Sequence, residues 1–147
     1  GSVVVSTIEG TRPILVEMQA LALPPKLAFP RHVVSGVALS RVELLLAVLQ
    51  KQASLPLDRF DIFVNVAGGL RLSEPGIDLG ICLAIASSLK NVALPSTVAI
   101  GEVGLLGEIR VVGGLDKRER EAKKLGFRNI ISARNFATLG DVLKRRF

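Results

Sequence analysis

Residues 77–89 read Ile-Asp-Leu-Gly-Ile-Cys-Leu-Ala-Ile-Ala-Ser-Ser-Leu, apolar or small on every side apart from Asp78. A helix without a polar stripe has to be enclosed by other elements, since every one of its faces gains by leaving water. The run is well short of the roughly 20 apolar residues that a membrane-crossing helix needs. It predicts a helix in the middle of a folded core, with Pro75 in its first turn, where a missing amide is harmless. A chain of 147 residues that is 49% apolar has the material to enclose such a helix. One domain is expected over residues 1–147. Cys82, the only cysteine, lies inside the run, so no disulfide framework is available and a reducing, cytoplasmic setting is expected. No basic segment followed by an apolar one opens the sequence, so neither a secretory leader nor a membrane partner is expected.

The segments around this helix alternate. Residues 3–8 are β-branched and apolar, Glu9-Gly10-Thr11-Arg12-Pro13 reads as a turn, and residues 14–23 partly alternate; together they predict a hairpin. The prolines at 24, 25 and 30 predict a loop, followed by a short third strand over 32–37. Ser40-Arg41-Val42-Glu43 has capping-box spacing, which predicts a helix from there to about Gln52, with Val42, Leu45, Leu46 and Leu49 on one stripe. Residues 60–66 predict a strand running into Ala67-Gly68-Gly69. Residues 98–100 and 108–112 flank a glycine-rich segment suited to a twisted hairpin or tight connection. A charged helix over 116–125 stopped by Gly126, a strand over 129–132 and a last helix over 135–146 complete the chain. Strands alternating with helices in the second half place the fold in the α/β or α+β class.

Charge supplies the first functional constraint. Nineteen Lys+Arg against thirteen Asp+Glu give +6 and a pI near 10.1, an electrostatic footprint for a polyanion such as nucleic acid. There is no Trp or Tyr and only six Phe, so stacking on aromatic rings looks poorly supplied, and phosphate contact by Arg and Lys is the expected mode. Other chemistry is excluded by spacing. No glycine-rich loop ends in Lys-Ser/Thr, so ATP is not expected to bind here, and Gly101, Gly104 and Gly107 do not match a dinucleotide fingerprint. One Cys and one His cannot close a zinc site. His32 reads as a surface residue or a phosphate contact. With no nucleophile-elbow pattern near it, only a Ser-Lys dyad remains as a catalytic option.

Several blocks of the sequence resemble a known family. Residues 3–17, Val-Val-Val-Ser-Thr-Ile-Glu-Gly-Thr-Arg-Pro-Ile-Leu-Val-Glu, resemble the opening of the Lon-protease-like C-terminal domain of bacterial RadA (Sms) DNA-repair proteins. Asn65-Val66-Ala67-Gly68-Gly69-Leu70, Gly101-Glu102-Val103-Gly104-Leu105, Gly107-Glu108-Ile109-Arg110 and Ala122-Lys123-Lys124-Leu125-Gly126-Phe127 follow in the family's order, so the resemblance spans essentially the whole chain. It implies a Lon-like α/β domain related to domain 2 of ribosomal protein S5. In that family a four-cysteine zinc finger and a RecA-like ATPase precede this domain, so ATP, Mg and Zn are expected in those parts and no cofactor in this one. The resemblance also implies a role in homologous recombination and repair, as a homohexameric motor on single-stranded and branched duplex DNA working alongside RecA.

Measured against Lon itself, the chain departs where catalysis would occur. Lon's nucleophilic serine opens a helix, and this chain reads Glu74-Pro75-Gly76-Ile77-Asp78 there; Lon's basic lysine falls at Arg118. Glycine has no side chain, and a guanidinium with a pKa above about 12 cannot take up a proton near neutrality. No peptidase activity is therefore expected, and Ser73 with Lys117 make only a misplaced substitute. Arginine keeps the positive charge and adds a planar fork for phosphate oxygens. Arg71 and Arg110, each just ahead of one of these two segments, are expected beside Arg118 as an anion site. Arg31 and Arg41 complete the DNA-binding candidates, with Lys117 and Lys124 as secondary ones. Arg41 is placed against the dipole at a helix start, which invites either a function or an intersubunit ion pair. Asp116/Arg120 and Glu119/Lys123 are spaced to pair along the charged helix. A purely structural oligomerisation domain is the alternative to a DNA-binding one.

Overall fold

The computed structural model describes residues 1–147. The hairpin forms as the sequence predicts: β1 (Ser2–Glu9) and β2 (Arg12–Leu23) pair antiparallel across a turn in which Gly10 has φ of 62°. β2 then pairs antiparallel with β4 (Asp61–Val66), and β4 pairs in parallel with β3 (His32–Ser35). On the other flank β1 runs parallel to β5 (Thr97–Ile100), and β5 parallel to β8 (Asn129–Ser132). The result is a six-stranded mixed sheet of order β3-β4-β2-β1-β5-β8. The chain is therefore of the α/β class, with three parallel strand pairs joined to two antiparallel ones.

Four helices complete it: α1 (Leu39–Ala53), α2 (Asp78–Lys90), α3 (Leu115–Lys124) and α4 (Leu139–Arg146). α2 is the enclosed helix. Residues 78 to 87 are all buried, and the helix stops where Asn91 turns to φ of 54° and its amide bonds back to Ser87 and Ser88. It lies against β1 so closely that a Cβ on Gly80 would collide with Val5 Cγ1. This glycine is required for volume, because its φ is ordinary. α1 and α2 cover one face of the sheet through Met18, Ile62, Val64 and Val66, while α3 covers part of the other through Leu115 and Ala122 against Val98 and Ile100.

Several local expectations are corrected. α1 begins at Leu39 with Ala38 as its cap and no side-chain capping bond, so Ser40 lies inside the first turn and the capping box does not form. Glu43 instead faces His32, 3.5 Å from Nδ1. β3 ends two residues early because Gly36, at φ of 92°, turns the chain against Val66 and Leu70. Residues 98–100 do not form a hairpin with 108–112. They join the main sheet as β5, and the glycine-rich segment folds into a small ribbon of β6 (Glu102–Val103) and β7 (Ile109–Arg110). The last helix starts at Leu139, since Asn135 is spent closing a turn, accepting from Ser132 N at 2.9 Å and donating to Ile130 O at 2.8 Å. Thr138 caps it by accepting from Asp141 N at 3.1 Å. No helix is long and apolar enough to cross a membrane.

Candidate functional site

The largest cleft, about 710 Å³, opens between the start of α1 and the segment leading into α2. The segment expected to correspond to a nucleophile region lines it: Arg71, Leu72, Ser73, Glu74, Pro75 and Asp78, facing Gly36, Ser40, Arg41 and Leu44. The local chain path explains why. Pro75 to Ile77 form a single 3-10 turn ahead of α2, tied to the β5–β6 junction by Gly101 N donating to Gly76 O and Leu79 N donating to Gly101 O, both at 3.0 Å.

Behind this turn lies Arg118, only 3% exposed. Its Nε donates to Gly113 O at 3.1 Å, Nη1 to Ser6 O at 2.6 Å and also to Glu74 Oε1, and Nη2 to Glu74 Oε2 at 2.7 Å. This is a bidentate guanidinium–carboxylate fork, the arrangement that suits arginine and not lysine. The fork fills the space of the missing side chain: a Cβ built on Gly76 would stand 2.7 Å from Arg118 Nη1 and 3.0 Å from Glu74 Oε1. Gly76 is not in the left-handed region, so its lack of a side chain is a matter of room. Gly76, Glu74 and Arg118 are one packing unit.

The cleft floor holds a second internal pair. Asp78 is fully buried and accepts from Arg41 Nε at 2.8 Å, from Arg41 Nη2, and from Val103 N at 3.1 Å. The carboxylate holds the Arg41 guanidinium even more firmly charged than usual, its hydrogen bond outweighing the desolvation that opposes it. Arg41 thus tolerates the start of α1 because an acid on the next helix meets it within the same chain. One turn further along α2, burial pushes the Cys82 thiol well above its ordinary value, and the nearby Asp78 charge adds to this. Such a thiol is not a nucleophile.

The expected trio does not assemble. Arg118 is interior, with four of its five N–H donors given to Gly113, Ser6 and Glu74, so the structure places it inside the protein and not as an open anion contact. Arg110 is exposed but donates to Glu108 Oε2 at 2.8 Å on its own ribbon. Arg71 alone remains free, exposed at the cleft with no hydrogen-bond or ion-pair partner. Arg31 is half exposed, its Nη2 3.4 Å from Asp61 Oδ2. Lys117 and Lys124 are exposed on α3. The pairing expected along α3 is also replaced. Arg134, from the turn after β8, bonds Asp116 and reaches Glu119 Oε2 at 3.0 Å, while Ser132 Oγ bonds Glu119 at 3.4 Å. Arg134 draws the Asp116 carboxyl below its ordinary range. Ser73 is exposed and Lys117 lies outside the cleft lining, so they form no dyad.

Sequence reasoning missed the acids. Glu74 and Asp78 decide what Arg118 and Arg41 do, and nothing in a local window marks them, since the partners are 44 and 37 residues apart. The basic run Lys144-Arg145-Arg146 is legible in the sequence; it ends α4, where cations suit the helix dipole, and both arginines lie over the Phe136 ring.

Residues 35–135, which include the whole cleft and the Arg118 fork, match the family described as Subunit ChlI of Mg-chelatase. The chain belongs to this family. Within this ChlI-family domain no group of three His, Cys, Asp or Glu side chains converges to hold a metal ion. The domain is also similar to curated proteins named DNA repair protein RadA. It is 52% identical to that of Halalkalibacterium halodurans over 132 residues, 89% of this chain and 29% of the relative. It is 48% identical to the Bacillus subtilis protein over 132 residues, and 45% identical to the Streptococcus pneumoniae protein over 139 residues, 94% of this chain and 33% of the relative. The chain thus spans about a third of the length of the curated relatives it matches.

Proposed function

We propose that this chain is the Lon-like, S5 domain 2-like module of a RadA-type DNA-repair protein, non-proteolytic, contributing DNA contacts and joining copies of itself into a hexameric ring. The observation that carries the non-proteolytic part is the filled site. With the Arg118 guanidinium in the space a side chain on Gly76 would need, position 76 offers no attacking hydroxyl and position 118 no proton acceptor. The RadA relatives, at 43 to 52% identity, support the repair role. In this reading ATP, Mg and Zn are handled by the remainder of such a protein, RecA is met by the whole assembly, and the setting is the cytoplasm.

The contacts to DNA are to phosphates, made by the cations that remain free or half exposed: Arg71, Lys117, Lys124, Arg31 and Arg110. Such contacts fix position and carry little sequence preference. The test is fluorescence anisotropy of labelled duplex and single strands against salt, where each neutralised phosphate contributes a log-log slope of about −0.9 on duplex. Arg71→Ala is expected to weaken binding uniformly and flatten the slope by about one phosphate. One observation favours a second reading, a purely structural ring-forming domain: four of the five candidate arginines already hold carboxylates of the same chain. No binding at low salt by a confirmed oligomer would establish that reading instead. Casein turnover abolished by Ser73→Ala would overturn the non-proteolytic one.

A further inference from the structure

The helices leave part of the sheet uncovered. On the face opposite α1 and α2, α3 covers Val4, Leu15, Val98 and Ile100, and stops there. Beyond it β2, β4 and β3 lie open, with Leu21, Leu23 and Val33 exposed by 47, 41 and 50%. Register sorts this face into rows that cross the strands. Leu21, Phe63 and Val33 stand side by side in one; Gln19, Asn65 and Ser35 form the next, with Asn65 Nδ2 donating to Gln19 Oε1 at 3.1 Å. A contiguous apolar patch of this kind, rimmed by polar groups, marks an interaction surface.

Its rim is cationic and aromatic. The Arg31 guanidinium lies over the Phe63 ring, 5.8 Å from its centroid. The end of the β2–β3 loop is pinned to β4, with Arg31 N donating to Asp61 Oδ1 at 2.8 Å and Ile62 N to Arg31 O at 2.9 Å. Two residues earlier Phe29 is 83% exposed, and Lys26 is exposed further along the same loop. On the opposite flank, Lys117, Arg120 and Lys124 of α3, with Glu121 as the one acid among them, border a shallow depression at Pro13 of β2. Two carboxylates stand on this face: Asp61, held by Arg31, and Glu17, which accepts from Ser2 Oγ at 2.6 Å and Gln19 Nε2 at 3.2 Å.

We infer that this open face of β2, β4 and β3 is a platform for single-stranded DNA, an inference that rests on the DNA-binding reading above. Unpaired bases offer flat apolar faces, polar edges and a phosphate chain. The Leu21–Phe63–Val33 row with Phe29 meets the first, the Gln19–Asn65–Ser35 row the second, and the lysines and arginines on both flanks the third. A duplex hides its base faces and has no use for such a floor. A protein partner fits less well, since protein interfaces disfavour lysine and this one would be bordered by lysines on two sides. The composition, poor in aromatics, argues against stacking; the fold nevertheless sets Phe63 under Arg31 and leaves Phe29 exposed two residues before that arginine.

The experiment is a titration of the labelled protein with oligo(dT) and with a duplex of equal length, followed by amide and methyl NMR. Expected are shifts at Leu21, Val33, Phe63 and Asn65 with the single strand. Phe29→Ala, at a position too exposed to matter for folding, should weaken oligo(dT) by roughly tenfold and leave duplex affinity unchanged. If the single strand binds with full affinity while these residues stay silent and Phe29→Ala changes nothing, the platform is wrong and the DNA-binding reading stands. If no oligonucleotide binds at low salt, both the platform and the DNA-binding reading fall.

Discussion

Substituting Ala for Gly76 tests whether the bare backbone at this position and the buried Arg118 fork are a single packing unit. On general grounds the change stabilises: Gly76 has ordinary backbone angles, and alanine there lowers the entropy of the unfolded chain, worth about 0.4–1 kcal/mol. The structure sets a larger effect against it. The new methyl would stand 2.7 Å from Arg118 Nη1, well inside the roughly 3.5 Å at which such atoms rest. Arg118 is 3% exposed and held at Ser6, Gly113 and both oxygens of Glu74, so it cannot swing aside without losing charge-assisted bonds. Overpacking of this kind costs about 1–3 kcal/mol. The net expectation is a loss of about 1–2 kcal/mol, a fall in Tm of roughly 3–8 °C for a chain of this size. Urea denaturation should show a lower midpoint at unchanged slope. In an Arg118→Met background the fork is gone, and the same substitution should be neutral or mildly stabilising, giving a coupling close to the whole effect. A Gly76→Ala variant at least as stable as the parent would refute the reasoning.

Three further outcomes follow from the same geometry. Arg41→Ala strips the fully buried Asp78 of its counter-charge and leaves it only Val103 N, so chemical denaturation should register a loss of about 3–5 kcal/mol. Glu17, Glu108 and Asp116 are all held below their ordinary values, by hydrogen bonds from Ser2, Arg110 and Arg134 respectively. A carboxyl depressed on folding adds stability that is complete above its unfolded value and is lost as pH falls through the folded one. Melting temperature should therefore be flat on their account above about pH 4.5 and decline below it, with added salt shrinking the decline because the groups are exposed. Cys82, buried and with its thiol pushed up, should resist a thiol reagent at pH 8 in the native protein and react at once in guanidinium; rapid native labelling would contradict the enclosure of α2.

Local composition and spacing were enough to determine the elements. The β1–β2 hairpin, the enclosed α2, the charged α3 and the absence of a side chain at Gly76 all follow from residues within one window, because hydrophobic period, turn chemistry and side-chain identity act over a few positions. Where two local signals competed, proximity in space chose between them: Ser40 and Glu43 have the spacing of a cap, yet Glu43 faces His32 from another element. The partners of the cations were beyond reach for the same reason. Arg118 meets Glu74, Arg41 meets Asp78, and Arg134 displaces the acid–base pairs expected along α3, because an ion pair depends on separation through space and the chain brings together residues far apart in order. The open face of β2, β4 and β3 belongs to this second kind of fact. Leu21, Phe63 and Val33 are unremarkable strand residues in sequence; only the register that aligns them, and a helix α3 that ends before covering them, makes them one surface.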